Sequence, residues 1–187
     1  MVEKKTFLSA SKGIAPFLYL TAFASLYEFV GTVMLQINTS YWFQIYTLLE
    51  FAAIYFYYFQ LLGKHYKNSF IVSVIVWIIF YGISFLFWDK DHKALSLAVN
   101  SFSISLFVFF FSFCYFKDLL DATDTVLWKK PSFFYNVGFS IYYASTLLLF
   151  LCTSHFFKNG DYYYWLVNII ATLILRLLLI VGIWKTK

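Results

Sequence analysis

Six long apolar stretches follow one another along the chain, and short polar segments separate them. The stretches cover residues 14–35, 41–62, 68–88, 94–116, 133–153 and 162–184. Each holds about 20 residues, which as a helix rising ~1.5 Å per residue cross a ~30 Å hydrocarbon layer. A membrane barrel would instead need short segments that alternate between apolar and polar residues. The pattern predicts an all-α fold in which residues 1–187 form a single polytopic membrane bundle of six transmembrane helices.

The distribution of lysines predicts the orientation of this bundle. Ten lysines lie in the N-terminal tail, the second and fourth connections and the C-terminal tail, whereas three lie in the third and fifth connections. Because positively charged short loops stay on the cytoplasmic side, both termini are expected to be cytoplasmic. The first apolar run has full spanning length and no cleavage site of small residues after it, so we expect it to remain as a signal-anchor.

The composition narrows the class of protein. Of the residues, 62% are apolar, 25% are aromatic and 12% are charged. A soluble domain usually has about a quarter of its residues charged, so a soluble globule is excluded, and so is a disordered chain. Two cysteines are too few for a disulfide scaffold. The net charge of +5 comes from lysines dispersed over the connections, so the expected partner is the lipid bilayer and not a nucleic acid.

The sequence carries no signature of a soluble enzyme. It has no phosphate-binding glycine loop, no nucleophile elbow, and no His and Cys residues at metal-ligand spacing. This absence favours a protein without enzymatic activity, and a membrane-embedded enzyme is the third alternative after a sensor and a channel. The sequence identifies no particular cofactor and indicates no metal ligands.

Three ionisable side chains lie inside the predicted spans, namely Glu28, Glu50 and Arg176. A charge at bilayer depth costs at least ~2.5 kcal/mol, so each side chain needs a partner, water or neutralisation. The first two spans form a tight hairpin around Thr39, and each glutamate is eleven residues from that centre. This spacing predicts two carboxylates at one level. One of them is then expected to keep a proton, unless Arg176 or a bound cation compensates.

Further polar residues recur at helical spacing in several spans, with phenylalanines expected to face lipid. The predicted ligand or proton site consists of Glu28, Glu50, Asn100, Asn168, Arg176 and Tyr143. Two interpretations remain open at this point. One is a buried polar network that fixes helix packing, and the other is an outward-opening pocket or ion pathway with the two glutamates at its floor. Arg176 could instead extend towards the cytoplasmic headgroups.

Several short motifs carry a resemblance to known sequences. In order along the chain they are Glu28-x-x-Gly31, Asn38, Ile45-Tyr46 followed by Glu50, and then Pro131 and Phe133 leading into Tyr142-Tyr143. This order resembles a group of uncharacterised multi-pass inner-membrane proteins of Bacteroidota, which often accompany membrane histidine kinases. The resemblance covers most of the chain and implies a bacterial inner membrane, without an established activity. The group commonly has a further N-terminal helix, from which the shorter N-terminus here departs.

The connections are too short to form a separate catalytic or receptor domain, so any signal must leave through a partner protein. Residues 117–130 could form a short interfacial helix that Pro131 stops. This helix is expected to be a plain connection, and the alternative is a docking segment for a cytoplasmic partner. The predicted function is an integral membrane sensor or accessory subunit, with an internal polar site around two intramembrane glutamates. The alternative is a small channel or transporter that acts as a homo-oligomer, including the pore-forming type used in bacterial defence.

Overall fold

The computed structural model describes residues 2–36, 40–88, 93–121, 126–156 and 164–185, which contain six α-helices and no β-strand. The helices are α1 (Val2–Glu28), α2 (Ser40–Leu62), α3 (Lys67–Leu86), α4 (Lys93–Asp121), α5 (Pro131–Phe156) and α6 (Tyr164–Trp184). A π-helical segment, Phe29–Met34, continues α1, and Gln36 after it has a positive φ of 50°. The prediction of an all-helical fold is confirmed.

Five of these helices hold a segment that is long and apolar enough to cross a membrane. The segments are Lys12–Gly31, Tyr41–Leu62, Lys67–Leu86, Leu95–Asp121 and Leu166–Trp184. They belong to α1, α2, α3, α4 and α6, and each overlaps one of the predicted spans. Helix α5 lies over the remaining predicted span, 133–153, but is not among the five.

Large apolar side chains cover much of the outside of the molecule, most clearly on α3 and α6. On α3 the exposed ones include Ile71, Val72, Ile75, Ile78 and Leu86. A soluble monomer rarely exposes such a continuous apolar surface, whereas a membrane bundle presents one to lipid. The surface and the helix lengths together indicate a multi-pass membrane protein.

Four helices form the centre of the bundle. α2 packs between α1 and α4, and α5 closes the group by packing against both α4 and α1. α3 lies outside against α4, and α6 lies outside against α5 in the most extensive helix pair. In this arrangement α2 and α5 face each other diagonally across the centre.

Aromatic rings fill much of the interior. Phe70 and Phe111 stack with ring centroids 4.0 Å apart, and Phe51 stacks on Trp77 at 4.1 Å. Phe70 and Phe111 are completely buried. Stacked and edge-to-face rings therefore provide the packing in the central part of the bundle, while other phenylalanines, such as Phe113, are exposed.

The connection 117–130 does not form a separate interfacial helix in its described part. α4 continues to Asp121, and after residues 122–125, which lie outside the described residues, a single 3₁₀ turn covers Leu127–Lys129. The hydroxyl of Tyr66, between α2 and α3, donates to Asp118 Oδ1 at 2.9 Å, and this bond raises the pKa of Tyr66. The first part of the segment is thus an extension of α4 that is tied to the neighbouring connection.

Glycines allow the close approach of α5 and α6. A Cβ atom built on Gly182 of α6 would overlap the ring of Tyr135 on α5, which is completely buried. A Cβ on Gly138 of α5 would lie 3.1 Å from Leu175 Cδ1. Small residues at such positions let membrane helices pack with their backbones close together.

We expect Gly182→Ala to destabilise the protein, although alanine is the better helix former. The displaced Tyr135 ring should cost about 1–3 kcal/mol, as overpacking typically does. Gly82→Ala on α3 is the matched control, because a Cβ there meets nothing within 4 Å. Thermal unfolding of the detergent-solubilised variants measures the difference. Equal unfolding temperatures for the two variants would contradict the close packing of α5 and α6.

Candidate polar site around Glu50 and Tyr143

A short hydrogen bond crosses the centre of the bundle between α2 and α5. The hydroxyl of Tyr143 donates to Glu50 Oε1 at 2.6 Å. Glu50 is 8% exposed and Tyr143 is 2% exposed, so both groups are shielded from the surroundings. A distance this short is typical of a hydroxyl donating to a carboxylate. This bond is the best-defined polar contact to an ionisable group inside a candidate span.

The helical period explains why α2 presents Glu50 to the interior. Buried side chains recur along α2 at steps of three or four residues, in the series Gln44, Thr47, Glu50, Ile54 and Tyr57. Thr47 Oγ1 donates to the backbone carbonyl of Phe43 at 2.8 Å, so its polar group is satisfied within the helix. The remaining polar members of the series need partners on other helices.

Two further tyrosines connect Glu50 to the outside of the bundle. The ring of Tyr142 lies 5.0 Å from that of Tyr143, at a steep angle. The charges of Glu50, Glu28 and Arg176 all act on Tyr142 and also on Tyr46 of α2. These two half-buried phenols are therefore near both the buried carboxylate and the charged groups at the surface.

Arg176 joins α6 to α1. Its Nη2 donates to Ser25 Oγ at 2.9 Å, and its charge also acts on Glu28. Both Arg176 and Glu28 are exposed at the surface of the chain, within candidate spans of α6 and α1. The two charged side chains of Arg176 and Glu28 thus lie on the outer surface of the bundle.

The predicted pair of intramembrane glutamates is wrong, because Glu50 is buried whereas Glu28 is exposed. The hairpin is in a different register from the one assumed. Tyr27 packs on Trp42, with ring centroids 4.4 Å apart, so Glu28 lies near the level of Trp42. Glu50 is eight residues further along α2, about 12 Å at ~1.5 Å per residue. The centre of the hairpin is thus several residues before Thr39, which itself lies outside the described residues.

Asn100 belongs to a separate cluster near the start of α2. Its Nδ2 donates to Gln44 Oε1 at 2.8 Å, and Gln44 Nε2 donates to Ser96 Oγ at 2.7 Å. The hydroxyl of Tyr81, on α3, donates to the backbone carbonyl oxygen of Gln44 at 3.4 Å. Asn100 Oδ1 is buried without a hydrogen-bond partner among the described residues. The cluster ties α2, α3 and α4 together about two turns from Glu50.

Asn168 is not brought into contact with Glu50 by any bond of the described residues. Its backbone carbonyl accepts from Thr172 Oγ1 at 2.7 Å, within α6. Its side-chain Oδ1 is buried and has no hydrogen-bond partner in the described part of the chain. Of the predicted site residues, the structure joins Glu50 to Tyr143 by a hydrogen bond, and it places Arg176 near Glu28 on the outer face of α1 and α6.

A second buried network lies near the end of α2. Asn136 Nδ2 donates to the Tyr57 hydroxyl at 2.8 Å, and Tyr58 is 2.7 Å from Ser112 Oγ. Tyr115 and Ser132 form a further hydroxyl pair at 2.8 Å. Tyr57 and Asn136 lie on the polar faces predicted for their spans, but the predicted site does not include them. Two adjacent tyrosines late in α2 are a further signal in the sequence, because each buried hydroxyl needs a partner.

The groups around Glu50 can exchange a proton or hold a small cationic ligand. One buried carboxylate, several phenol hydroxyls and one peripheral guanidinium are present, and these groups donate, accept and carry charge. Within the described ranges, no three His, Cys, Asp or Glu side chains come together as a metal site. Cys114 is a buried free thiol in α4.

We expect the Glu50–Tyr143 bond to stabilise the fold measurably. Tyr143→Phe removes the donor, and hydrogen bonds between membrane helices contribute about 0.6 kcal/mol on average, with ~1.7 kcal/mol as the upper end. Tyr19→Phe on the exposed face of α1 is the matched control and should be neutral. Unfolding of Glu50→Gln, Tyr143→Phe and the double variant in lipid bicelles gives the coupling energy. Purely additive effects would show that the bond contributes nothing.

Comparison with known proteins gives no relative from which an activity could be transferred. No protein-family model matches the chain, and neither the curated proteins nor the solved structures contain a significant match.

Proposed function

We propose that the protein is a six-span membrane sensor or accessory subunit that responds to protonation of Glu50. The single observation that supports this best is the buried Glu50–Tyr143 bond across the centre of the bundle. Tyr46 and Tyr142 link that bond electrostatically to charges at the surface. Intramembrane acids are usually functional, because their burial is costly. The location in a bacterial inner membrane rests on the sequence resemblance described above.

Helix α5 is the sixth span in this proposed topology. α5 is 26 residues long and packs between α4 and α6, which both hold candidate spans. Residues 131–149 of α5 include no Asp, Glu, Lys or Arg. With six spans both termini lie on one side, and the lysine distribution favours the cytoplasm.

Protonation changes the strength of the contact between α2 and α5. An ionised Glu50 accepts a strong hydrogen bond from Tyr143, and a neutral one accepts a weaker bond. The central helices are tightly packed, so a change in this contact favours a small discrete shift of one helix over a gradual deformation. The helix shift would move the connections at the helix ends, and a partner protein bound there would respond to that movement.

A proton channel or transporter is the second candidate. The buried polar side chains Gln44, Thr47, Glu50 and Tyr57 follow α2 over most of its length, as a proton pathway would require. However, Tyr57 and Tyr58 are completely buried and Phe139 packs against both rings. This packing disfavours a continuous water path within one chain and supports the sensor.

We expect cysteine labelling to place Lys64 and Lys129 on the side of the termini, and Trp88 and Lys158 on the opposite side. This pattern follows from six spans with α5 crossing the membrane. Single cysteines are introduced at these positions after Cys114→Ser and Cys152→Ser, and a membrane-impermeant maleimide is applied to sealed cells.

Labels at residues 129 and 158 from the same side would show that α5 does not cross. Labels at residues 64 and 88 from the same side would overturn the orientation of α3. A cysteine next to the N-terminus provides the reference for the side of the termini.

We expect a change of pH to alter the carboxyl infrared signal of the reconstituted protein through Glu50. Infrared difference spectra in liposomes should show a protonation band in the wild type. Glu50→Gln should abolish the band, and Tyr143→Phe should shift it because the hydrogen bond to the carboxyl is lost.

Glu28→Gln is the matched control, because Glu28 is exposed and accepts no bond from Tyr143. An unchanged band in Glu50→Gln would contradict the proposed site. A steady proton flux through liposomes that Glu50→Gln abolishes would favour the transporter over the sensor.

A further inference from the structure

Arg176 is a cation at the lateral surface of a membrane helix. It lies ten residues after the start and eight before the end of the apolar segment Leu166–Trp184, so it is close to the middle. Its side chain is exposed, and its Nη2 donates to Ser25 Oγ at 2.9 Å. A guanidinium has five N–H donors, so one such bond leaves most of its capacity for another partner. A cation facing lipid at this depth is unfavourable unless a partner covers it.

An anion lies within one helical turn of the point on α1 that the guanidinium reaches. Glu28 is exposed, and its carboxylate and Arg176 attract each other. The guanidinium reaches Ser25, which is three residues from Glu28, or about 4.5 Å along the helix. The face formed by α1 and α6 therefore presents one positive and one negative group side by side.

Apolar side chains surround these two charges. On α1, Phe29 follows Glu28 directly and is 60% exposed. On α6 the exposed residues Ile169, Leu173 and Ile180 share the side of Arg176 at helical spacing. An apolar face with a matched pair of charges at its centre has the character of a contact between membrane proteins, because lipid tails satisfy the apolar part alone.

We infer that this α1–α6 face binds a second copy of the chain in a parallel two-fold dimer. Arg176 of each protomer pairs with the partner's Glu28, so two equivalent ion pairs form. Two-fold contacts use the same patch on both subunits and require it to be self-complementary, which one cation and one anion provide. All copies insert with the same orientation, and each guanidinium reaches the level of Ser25, so it lies about one helical turn from the level of the partner's Glu28. A lipid phosphate could satisfy Arg176 but would leave Glu28 uncovered.

Charge reversal tests this pairing directly. In a dimer of Glu28→Arg chains, both cross-subunit pairs become cation with cation. In a dimer of Arg176→Glu chains, both become anion with anion. We expect each variant alone to self-associate at least tenfold more weakly than the wild type. The two variants together should regain the wild-type level, because both cross-subunit pairs are again opposite in charge. Energy transfer between two fluorescent tags in liposomes measures all four combinations.

Neutral variants keep the test valid if a reversed charge impairs folding. Glu28→Gln and Arg176→Gln should each weaken self-association, and a mixture of the two should associate more strongly than either alone, because one ion pair survives. Asp121→Arg, at the exposed end of α4, is the control and should associate like the wild type. Dimers that are insensitive to all four changes, or a wild type that stays monomeric, would overturn the inference. Loss of association in the single variants without recovery in the mixtures would overturn it as well.

Discussion

Polar side chains inside this bundle must be satisfied by other side chains, because neither lipid nor an aromatic core offers hydrogen-bond partners. The bond from Tyr143 to Glu50 is the contact on which the arrangement depends most. It joins α2 and α5 diagonally across the centre, between helices that are distant in sequence. A carboxylate in this position would be strongly unfavourable without its donor, so the bond fixes how both helices are rotated about their axes.

The same constraint operates in two further layers on the buried side of α2. Near the start of the helix, Gln44 binds Asn100 of α4, and near its end, Tyr57 binds Asn136 of α5. A shift of α2 by one helical turn would leave all three layers unpaired at once. Stacked rings give packing density between the layers but little directional preference, so the polar contacts set the register. The side chains that set the packing of α2, above all Glu50, are thus also those of the candidate functional site.

The sequence predicts the helices well, because spanning length and continuous hydrophobicity are local properties. α2 begins and ends within a residue of the predicted span 41–62. The site depends on relations between helices, which are not local. Equal spacing of Glu28 and Glu50 from Thr39 assumed a symmetric turn. The π-helical segment after Glu28 and the packing of Tyr27 on Trp42 place the two glutamates at different depths. Depth counted along a sequence is reliable only when the turn is known.

Helix α5 shows how a central helix accommodates polar side chains. It contacts α1, α4 and α6, and its side chains Tyr135, Asn136, Phe139 and Tyr143 are almost completely buried. A helix with protein on several sides can carry serine, asparagine and tyrosine, because neighbouring helices supply hydrogen bonds that lipid cannot. Helices α3 and α6, at the outside, need apolar faces instead, and each holds a candidate membrane span. The central helices thus hold the polar contacts, and the outer helices present apolar side chains to lipid.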